Sequence, residues 1–260
     1  MRLARRAWCR AYQTAFRIAL PVLPYFEPQV ADTVEKVPEL LAKHGVTTAL
    51  LVTDPGVARL GLTHAVEAYI GRSTTRHTRR MATEAVRLVH DNLLDAYRNG
   101  GDERARTAMM EAAYKAGVAF TQSYVGYVHA IAHSLGGQYG TPHGLANAVI
   151  LPHVLRAYGD AAAPRLAELA RAAGVCAQTE PDALAAEAFI AWVECMNEAL
   201  GIPCHLRCIR EEDIPLMAAH ADAEANPLYP VPALWDKDQL ERMYHVVAGP
   251  ASEPQPARSA

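Results

Sequence analysis

Apolar residues recur at the three-to-four-residue spacing of amphipathic helices along most of the chain after His64. Capping residues precede several of these runs and glycines follow them, as at the starts and stops of helices. The pattern predicts helices over residues 74–98, 103–119, 121–135, 142–158, 164–173, 182–200, 211–225 and 236–247. The segment over 121–135 is expected to end at Gly136 and Gly137. This part of the chain is therefore predicted to be all-helical.

The first sixty residues follow a different pattern. Residues 32–44 have helical spacing and end at Gly45, and residues 46–53 are a β-prone run that stops at Asp54, Pro55 and Gly56. This run predicts one buried strand followed by a turn. A lone strand leaves its backbone groups unpaired and normally implies a sheet, yet no partner strands are visible downstream.

The segment Met1–Pro24 is arginine-rich and then apolar over residues 16–23. A signal or transit peptide would show such an order of charge and apolarity. However, Arg17 and Pro21 interrupt the apolar run and no cleavage-site pattern closes it. The sequence therefore favours a helix packed on the protein body.

Composition limits the classes of protein to which the chain can belong. At about 150 residues per domain, 260 residues correspond to roughly 1.7 domains. The 51% of apolar and 20% of charged residues are typical of a folded globular protein and exclude a wholly disordered or collagen-like chain. A net charge of −3 does not favour nucleic-acid binding. No apolar run reaches the roughly 18 residues of a membrane span, so no membrane partner is expected.

Cysteine usage bears on the compartment and on one alternative metal site. The five cysteines are odd in number and irregularly spaced, which argues against a disulfide framework and predicts a reducing, cytoplasmic location. Cys204, His205 and Cys208 could form half of a zinc site. No second ligand pair with metal-site spacing follows, so the sequence favours ordinary thiols there.

Candidate chemistry is concentrated in a group of histidines. His129 and His133 are four residues apart and share one face of a predicted helix. A glycine-rich turn precedes His143, which opens the next helix and can approach the first two imidazoles, and His64 is a fourth candidate. Imidazole is a common ligand for zinc and iron. Because an H-x3-H spacing also recurs by chance, this spacing alone leaves both a metal site and ordinary histidines open. Ordinary roles are expected for the isolated histidines His153, His205, His220 and His245.

A family resemblance adds to this pattern. It is carried within residues 112–155 by Gly117, Ala119-Phe120, His129, Ala132-His133, Leu135-Gly136 and Pro142-His143-Gly144-Leu145-Ala146-Asn147-Ala148. This block resembles the metal-binding signature of the iron-containing alcohol dehydrogenases (group III). Residues 63–69 (Thr-His-Ala-Val-Glu-Ala-Tyr) are similar to the family's other metal motif, and residues 8–62 and 219–232 also fit, so the resemblance covers almost the whole chain.

The resemblance implies a fold and a set of site residues. It implies an N-terminal α/β domain that binds NAD(P) and a C-terminal helical domain of the dehydroquinate-synthase-like fold that holds a divalent metal, Fe²⁺ or Zn²⁺. His64, His129 and His143 match metal ligands, and His133 matches a catalytic-site histidine near the substrate. Asp54 matches an acidic residue placed to bond the adenosine ribose, which would favour NAD over NADP.

Two positions of the family pattern are missing. The family's fourth ligand is an aspartate, and the matching position is Leu60, which cannot ligate a metal. The glycine-rich phosphate-binding segment has no counterpart in the chain. We therefore expect an internal deletion of most of the nucleotide domain, with its junction near residues 61–63. The predicted organisation is a remnant of that domain over 1–62, a helical metal-binding domain over 63–249 and a loose tail over 250–260.

By this resemblance the chain is an NAD(P)- and metal-dependent oxidoreductase that interconverts primary alcohols and aldehydes. Loss of the phosphate loop is expected to weaken NAD(P) binding and activity. The alternative is a non-catalytic metal-binding helical protein, or a subunit that pairs with an intact paralogue. Exposed strand edges and a bared interdomain face predict self-association.

Overall fold

Ten α-helices and three short 3₁₀ turns make up the described part of the chain, in which there is no β-strand. The computed structural model describes Met1, residues 3–23, Tyr25, a few positions between 36 and 43, the backbone of 57–60, and residues 61–250. The helices are α1 (Leu3–Ala19), α2 (Val57–Ile70), α3 (Arg76–Arg98), α4 (Glu103–Ser123), α5 (Tyr127–Tyr139), α6 (His143–Tyr158), α7 (Ala163–Ala173), α8 (Asp182–Ala199), α9 (Ile214–Ala225) and α10 (Lys237–Ala248). The prediction of a mainly helical chain is confirmed.

Three predicted helix starts coincide with capping side chains. Thr75 accepts a hydrogen bond from the backbone of Thr78 at the start of α3, and Asp102 does the same for Ala105 at the start of α4. Asp236 caps α10 with a reciprocal contact to Gln239. These side chains satisfy amide groups that the first turn of a helix leaves unpaired. They explain why these boundaries could be read from the sequence.

Both boundaries predicted for the helix over 121–135 are wrong. The sequence pattern placed a helix over 121–135, but α4 continues to Ser123 and ends at Tyr124, whose φ of 62° is left-handed. Helix α5 begins at Tyr127 and runs through Gly136 and Gly137 before it ends at Tyr139. The turn therefore lies three residues beyond Gly137, at Gly140, where a φ of 64° suits a residue without a side chain.

The reason for this error is tertiary packing. Each glycine inside a helix costs about 1 kcal/mol relative to alanine. The buried face of α5, which includes Tyr127, Ile131 and Leu135, more than offsets that cost. The break before α5 occurs instead at Gly126, beside the buried Glu67. Neither effect is visible in local propensity.

Several predictions lie outside the described residues. They are the strand over 46–53, Asp54, the tail over 251–260 and, apart from isolated positions, the helix over 32–44. The side chain of Leu60 is also outside the described set, although the backbone of Leu60 belongs to α2. The small α/β remnant and the domain boundaries thus stay predictions.

Helix α2 occupies the centre of the bundle. It packs against α3, α4 and α6, while α5 packs between α6 and α9. Its side chains Ala65, Val66 and Ala68 are fully buried, and they belong to the apolar core that joins the helices. Because α2, α5 and α6 meet at this core, histidines on the three helices can approach one another.

The N-terminal helix α1 lies on the body of the protein, as predicted. The amide of Gln13 donates to the carbonyl of Tyr229 at 2.7 Å, and the guanidinium of Arg10 donates to the carbonyls of Val231 and Pro232. Polar side chains of α1 therefore hold the loop that follows α9. None of the described helices combines the length and apolarity needed to cross a bilayer.

Candidate metal centre

Three helices bring the predicted ligand histidines together. His64 lies on α2, His129 on α5 and His143 opens α6. One side-chain nitrogen from each lies within 4.8 Å of the others, and among the described residues this is the one group of three or more candidate metal-ligating side chains. The ring centroids of His64 and His129 are 4.4 Å apart, and those of His129 and His143 are 5.4 Å apart.

His129 is the buried member of this group, with 2% of its surface exposed. Its Nδ1 lies 2.5 Å from Oε2 of Glu67, which is also buried. Its Nε2 is buried and has no hydrogen-bond partner. A buried polar nitrogen without a partner is costly unless a ligand meets it. The geometry of His129 therefore fits a metal-binding imidazole that is supported from behind by a carboxylate.

The start of α5 is fixed by a buried polar cluster. The hydroxyl of Tyr127 donates to Oδ1 of Asn226 at 3.0 Å and accepts from the backbone N–H of Trp235 at 2.9 Å. Its ring stacks on that of Trp235 with centroids 4.8 Å apart. Burial raises the pKa of the Tyr127 hydroxyl to about 12. Because Tyr127 precedes His129 by two residues, the cluster holds the ligand-bearing turn of α5 in place.

The other two imidazoles are positioned by neighbouring side chains. The ring of His64 stacks on Phe120 of α4 with centroids 4.2 Å apart. The side-chain amide of Asn147 contacts Nε2 of His143 at 3.0 Å, one turn away on α6. With its oxygen towards the ring, the amide accepts from Nε2–H and leaves the lone pair on Nδ1 for a metal. Asn147 is fully buried, so water cannot take the place of its amide beside His143 unless the packing changes. Both contacts restrict the orientation of partly exposed rings.

His133 belongs to a second polar group at the edge of the histidine cluster. Its Nδ1 lies 2.6 Å from Oε1 of Glu224, which also accepts from the hydroxyl of Tyr229 at 2.6 Å. Its ring stacks on His143 with centroids 5.0 Å apart. The hydrogen bond to Glu224 raises the pKa of His133. Burial raises the pKa of the Glu224 carboxyl, but hydrogen bonds from His133 and Tyr229 outweigh it and lower that pKa overall.

The donor set is chemically suited to a divalent transition metal. Three neutral imidazoles match zinc and iron sites and leave further coordination positions for water or an oxygen of a substrate. The cluster lies beside the side chain of His133, 44% of which is exposed, so a small molecule can reach this edge of the site. Such a metal would polarise an oxygen bound to it.

The alternative zinc site is not assembled. Cys204 and Cys208 are free and exposed. His205 stacks on His153 with centroids 5.5 Å apart, and a ring nitrogen of His153 contacts the carbonyl of Cys204 at 2.8 Å. These residues join no group of three candidate ligands within the described ranges. The expectation of ordinary thiols at these positions stays a prediction.

Sequence reasoning missed the side chains that support the histidines. Glu67 was part of the motif over 63–69 and Asn147 of the motif over 142–148, but neither spacing revealed a role. Glu67 is three residues after His64 on the same face of α2, so both side chains reach His129. Glu224 and Tyr229 are distant from His133 in sequence. Only the packing of α9 against α5 brings them to it.

The fold and the histidine cluster define a helical domain that could hold a metal, and comparison with known proteins identifies its family. The profile described as "Fe-containing alcohol dehydrogenase family, C-terminal" matches residues 61–247. The chain therefore belongs to the iron-containing alcohol dehydrogenase family, as the motifs predicted. The match includes all four histidines of the predicted site and begins within α2.

The relatives are alcohol and aldehyde oxidoreductases. The chain is 35% identical over 212 residues to alcohol dehydrogenase 4 of Saccharomyces cerevisiae. The aligned region covers 75% of this chain and 54% of that protein. It is 42% identical over 167 residues to 1,3-propanediol dehydrogenase of Klebsiella pneumoniae. This aligned region covers 64% of this chain and 43% of that protein. A crystal structure of 1,3-propanediol oxidoreductase has a TM-score of 0.69 at 38% identity and covers 73% of this chain. The chain spans about half the length of the relatives it matches.

Proposed function

We propose that this chain binds one divalent metal ion through His64, His129 and His143 and serves as the metal-holding part of an alcohol or aldehyde oxidoreductase. The observation that supports it most directly is the buried, unpartnered Nε2 of His129 beside candidate nitrogens from the other two histidines. The metal is Fe²⁺ or Zn²⁺. Three imidazoles without a carboxylate favour zinc, because ferrous sites usually retain an oxygen ligand.

In this proposal the metal would polarise the oxygen of a primary alcohol or aldehyde, and NAD(P) would exchange hydride with the substrate. The chain itself holds the three imidazoles. Because α5 is buried, water is excluded from the side of His129 that faces Glu67. His133 and its partner Glu224 lie at the edge of the histidine cluster. There His133 would lie near the substrate and position or receive a proton. Asp54 is proposed to contact the adenosine ribose, as the resemblance implies.

Hydride transfer needs the nicotinamide held against the substrate. The family match begins at residue 61, and the glycine-rich phosphate segment has no counterpart in the sequence. We therefore expect weak NAD(P) binding and low turnover by the isolated chain. The same observations favour the second candidate, a metal-binding helical protein without turnover or a subunit completed by an intact paralogue.

Metal analysis tests the first part of the proposal. After removal of metal with a chelator, the protein is loaded with Zn²⁺, or with Fe²⁺ without oxygen, and the bound ion is measured by mass spectrometry. We expect one ion per chain in the wild type and a large loss in His143→Ala. His153→Ala is the matched control, because His153 lies on the same helix outside the cluster. Equal metal content in all three proteins would contradict the site.

Activity and calorimetry distinguish the two candidates. Methanol, 1-propanol and 1,3-propanediol are suitable probes because relatives are named for these alcohols. NAD⁺-dependent turnover by the metal-loaded protein would support the oxidoreductase. Metal binding with no heat of NAD⁺ binding and no turnover would support the non-catalytic candidate.

Self-association is a further part of the proposal. Helix α1 exposes Trp8 and Ile18, and the turn after it exposes Val22, with 61%, 73% and 82% of their surfaces exposed. Exposed apolar side chains of this size favour burial against a second copy. Sedimentation velocity at low and high protein concentration tests the idea, and a single monomer peak at both would oppose it.

A further inference from the structure

We infer that Glu67 is a positioning residue that selects the tautomer of His129 and thereby makes its Nε2 a metal-binding atom. The inference rests on the proposed metal site and adds to it a residue that is not itself a ligand. It depends on where hydrogen atoms can be placed around one buried carboxylate.

Glu67 meets two hydrogen-bond donors, one for each oxygen. The backbone N–H of Val128 donates to Oε1 at 2.9 Å. The ring of His129 contacts Oε2 through Nδ1 at 2.5 Å. An ionised carboxylate only accepts hydrogen bonds, so Nδ1 of His129 carries the proton. In the neutral imidazole, Nε2 then carries the lone pair.

The opposite tautomer is unfavourable in this environment. It would place a hydrogen on Nε2, which is buried and has no acceptor, and would leave Nδ1 as an acceptor against a carboxylate. Because Nε2 lacks a partner in either tautomer, the contact between Nδ1 and the carboxylate decides which tautomer is favoured. Glu67 thus keeps the lone pair on Nε2 of His129 in the metal-free protein, so that Nε2 can bind a metal.

The space around Glu67 is closed on the side of the α4–α5 connection. A Cβ on Gly126 would lie 2.6 Å from Oε1 of Glu67, well inside ordinary contact distance. Gly126 has an extended backbone, with φ of −138°, so any residue could adopt its conformation. The absence of a side chain at Gly126 is therefore explained by the position of the carboxylate and not by the backbone.

These contacts make Glu67→Gln an informative substitution. Glutamine has almost the same shape but offers one acceptor and one donor in place of two acceptors. If its oxygen accepts from Val128, its NH₂ group faces Nδ1 of His129 and forces the proton to Nε2. The backbone contact that anchors α5 is then kept, while the metal-binding atom is blocked.

The first test reads the tautomer directly in the metal-free protein. Long-range ¹H–¹⁵N NMR spectra at pH 8 distinguish the two tautomers, and His129→Gln identifies the signal. We expect the Nδ1–H tautomer in the wild type and the Nε2–H tautomer in Glu67→Gln. The Nδ1–H tautomer in both proteins would overturn the inference. Because no metal is present, this result is independent of whether the proposed metal site is correct.

The second test measures affinity for Zn²⁺ by competition with a chromophoric chelator. Supporting residues behind a ligand histidine typically change metal affinity 10–100-fold. We expect a loss of this size in Glu67→Gln with little change in the unfolding temperature of the metal-free protein. A purely structural role predicts the reverse, a lower unfolding temperature with unchanged affinity, and that result would overturn the inference.

Gly126→Ala provides an independent route if Glu67→Gln fails to fold. The added methyl must displace the carboxylate from its contact with His129, so Zn²⁺ affinity should again fall at least tenfold. Gly137→Ala is the matched control, because a methyl there meets nothing within 4 Å and Gly137 lies on the same helix as His129. Equal affinities of both alanine variants and the wild type would count against the inference.

Discussion

The side-chain amide of Asn147 lies 3.0 Å from Nε2 of His143, one turn away on α6. Asn147 is fully buried, and one of its two amide atoms has no partner. A buried amide that forms a hydrogen bond with a partly exposed ring restrains the orientation of that ring. The contact fixes His143 relative to the helix on which both residues lie.

Replacement of Asn147 by leucine should separate this restraint from packing. Asn147→Leu keeps the branch at Cγ but removes the hydrogen bond, so Zn²⁺ affinity should fall about tenfold. Because the unpartnered amide atom also disappears, part of the cost of the larger side chain is offset, and metal-free stability should fall by no more than about 1–3 kcal/mol. Chelator competition and thermal unfolding of the metal-free protein measure the two effects. Unchanged affinity would show that packing alone orients His143.

Metal binding should stabilise the fold. An ion that binds only the folded state at 100 times its Kd adds about 2.7 kcal/mol. For a chain of this size the gain corresponds to a rise of roughly 5–10 °C in Tm. Differential scanning fluorimetry with and without Zn²⁺ measures the shift. His64→Ala should abolish it, whereas His90→Ala on α3 should keep it; a shift that survives in His64→Ala would argue for binding elsewhere.

The hydroxyl of Tyr127 should contribute measurably to stability. Tyr127→Phe leaves the N–H of Trp235 without its partner in a buried cluster. The expected cost is about 1–3 kcal/mol in the free energy of unfolding. Urea unfolding at pH 7 provides the measurement, with Tyr97→Phe on the exposed face of α3 as the control. Equal losses in the two variants would contradict the role assigned to the cluster.

The same hydroxyl predicts a dependence on alkaline pH. Tyrosine in an unfolded chain ionises near pH 10, whereas burial raises the pKa of Tyr127 to about 12 in the folded protein. The stabilisation linked to this group is therefore complete below pH 10 and is lost as pH rises towards 12. The stability difference between wild type and Tyr127→Phe should shrink between pH 9 and pH 12, as measured by urea unfolding. A constant difference would rule out this linkage.

Local sequence signals predicted most of the described fold. The capping side chains Thr75, Asp102 and Asp236 mark helix starts that the structure reproduces. The error over residues 121–135 has the opposite cause. Local propensity favours a stop at Gly136 and Gly137, but burial of α5 carries the helix past them. The break at Gly126 depends on Glu67, which is far away in sequence.

The candidate site divides in the same way. The sequence by itself determined which residues can do the chemistry, because imidazoles at His129 and His143 and the family motifs are properties of the chain. Only the tertiary structure decided how they are held. Glu67 of α2 acts on His129 of α5 through a hydrogen bond that depends on where the two helices meet, and Glu224 reaches His133 across 91 residues. Spacing along one helix can place two side chains on a face, but the packing of α2, α5, α6 and α9 determines what lies behind them.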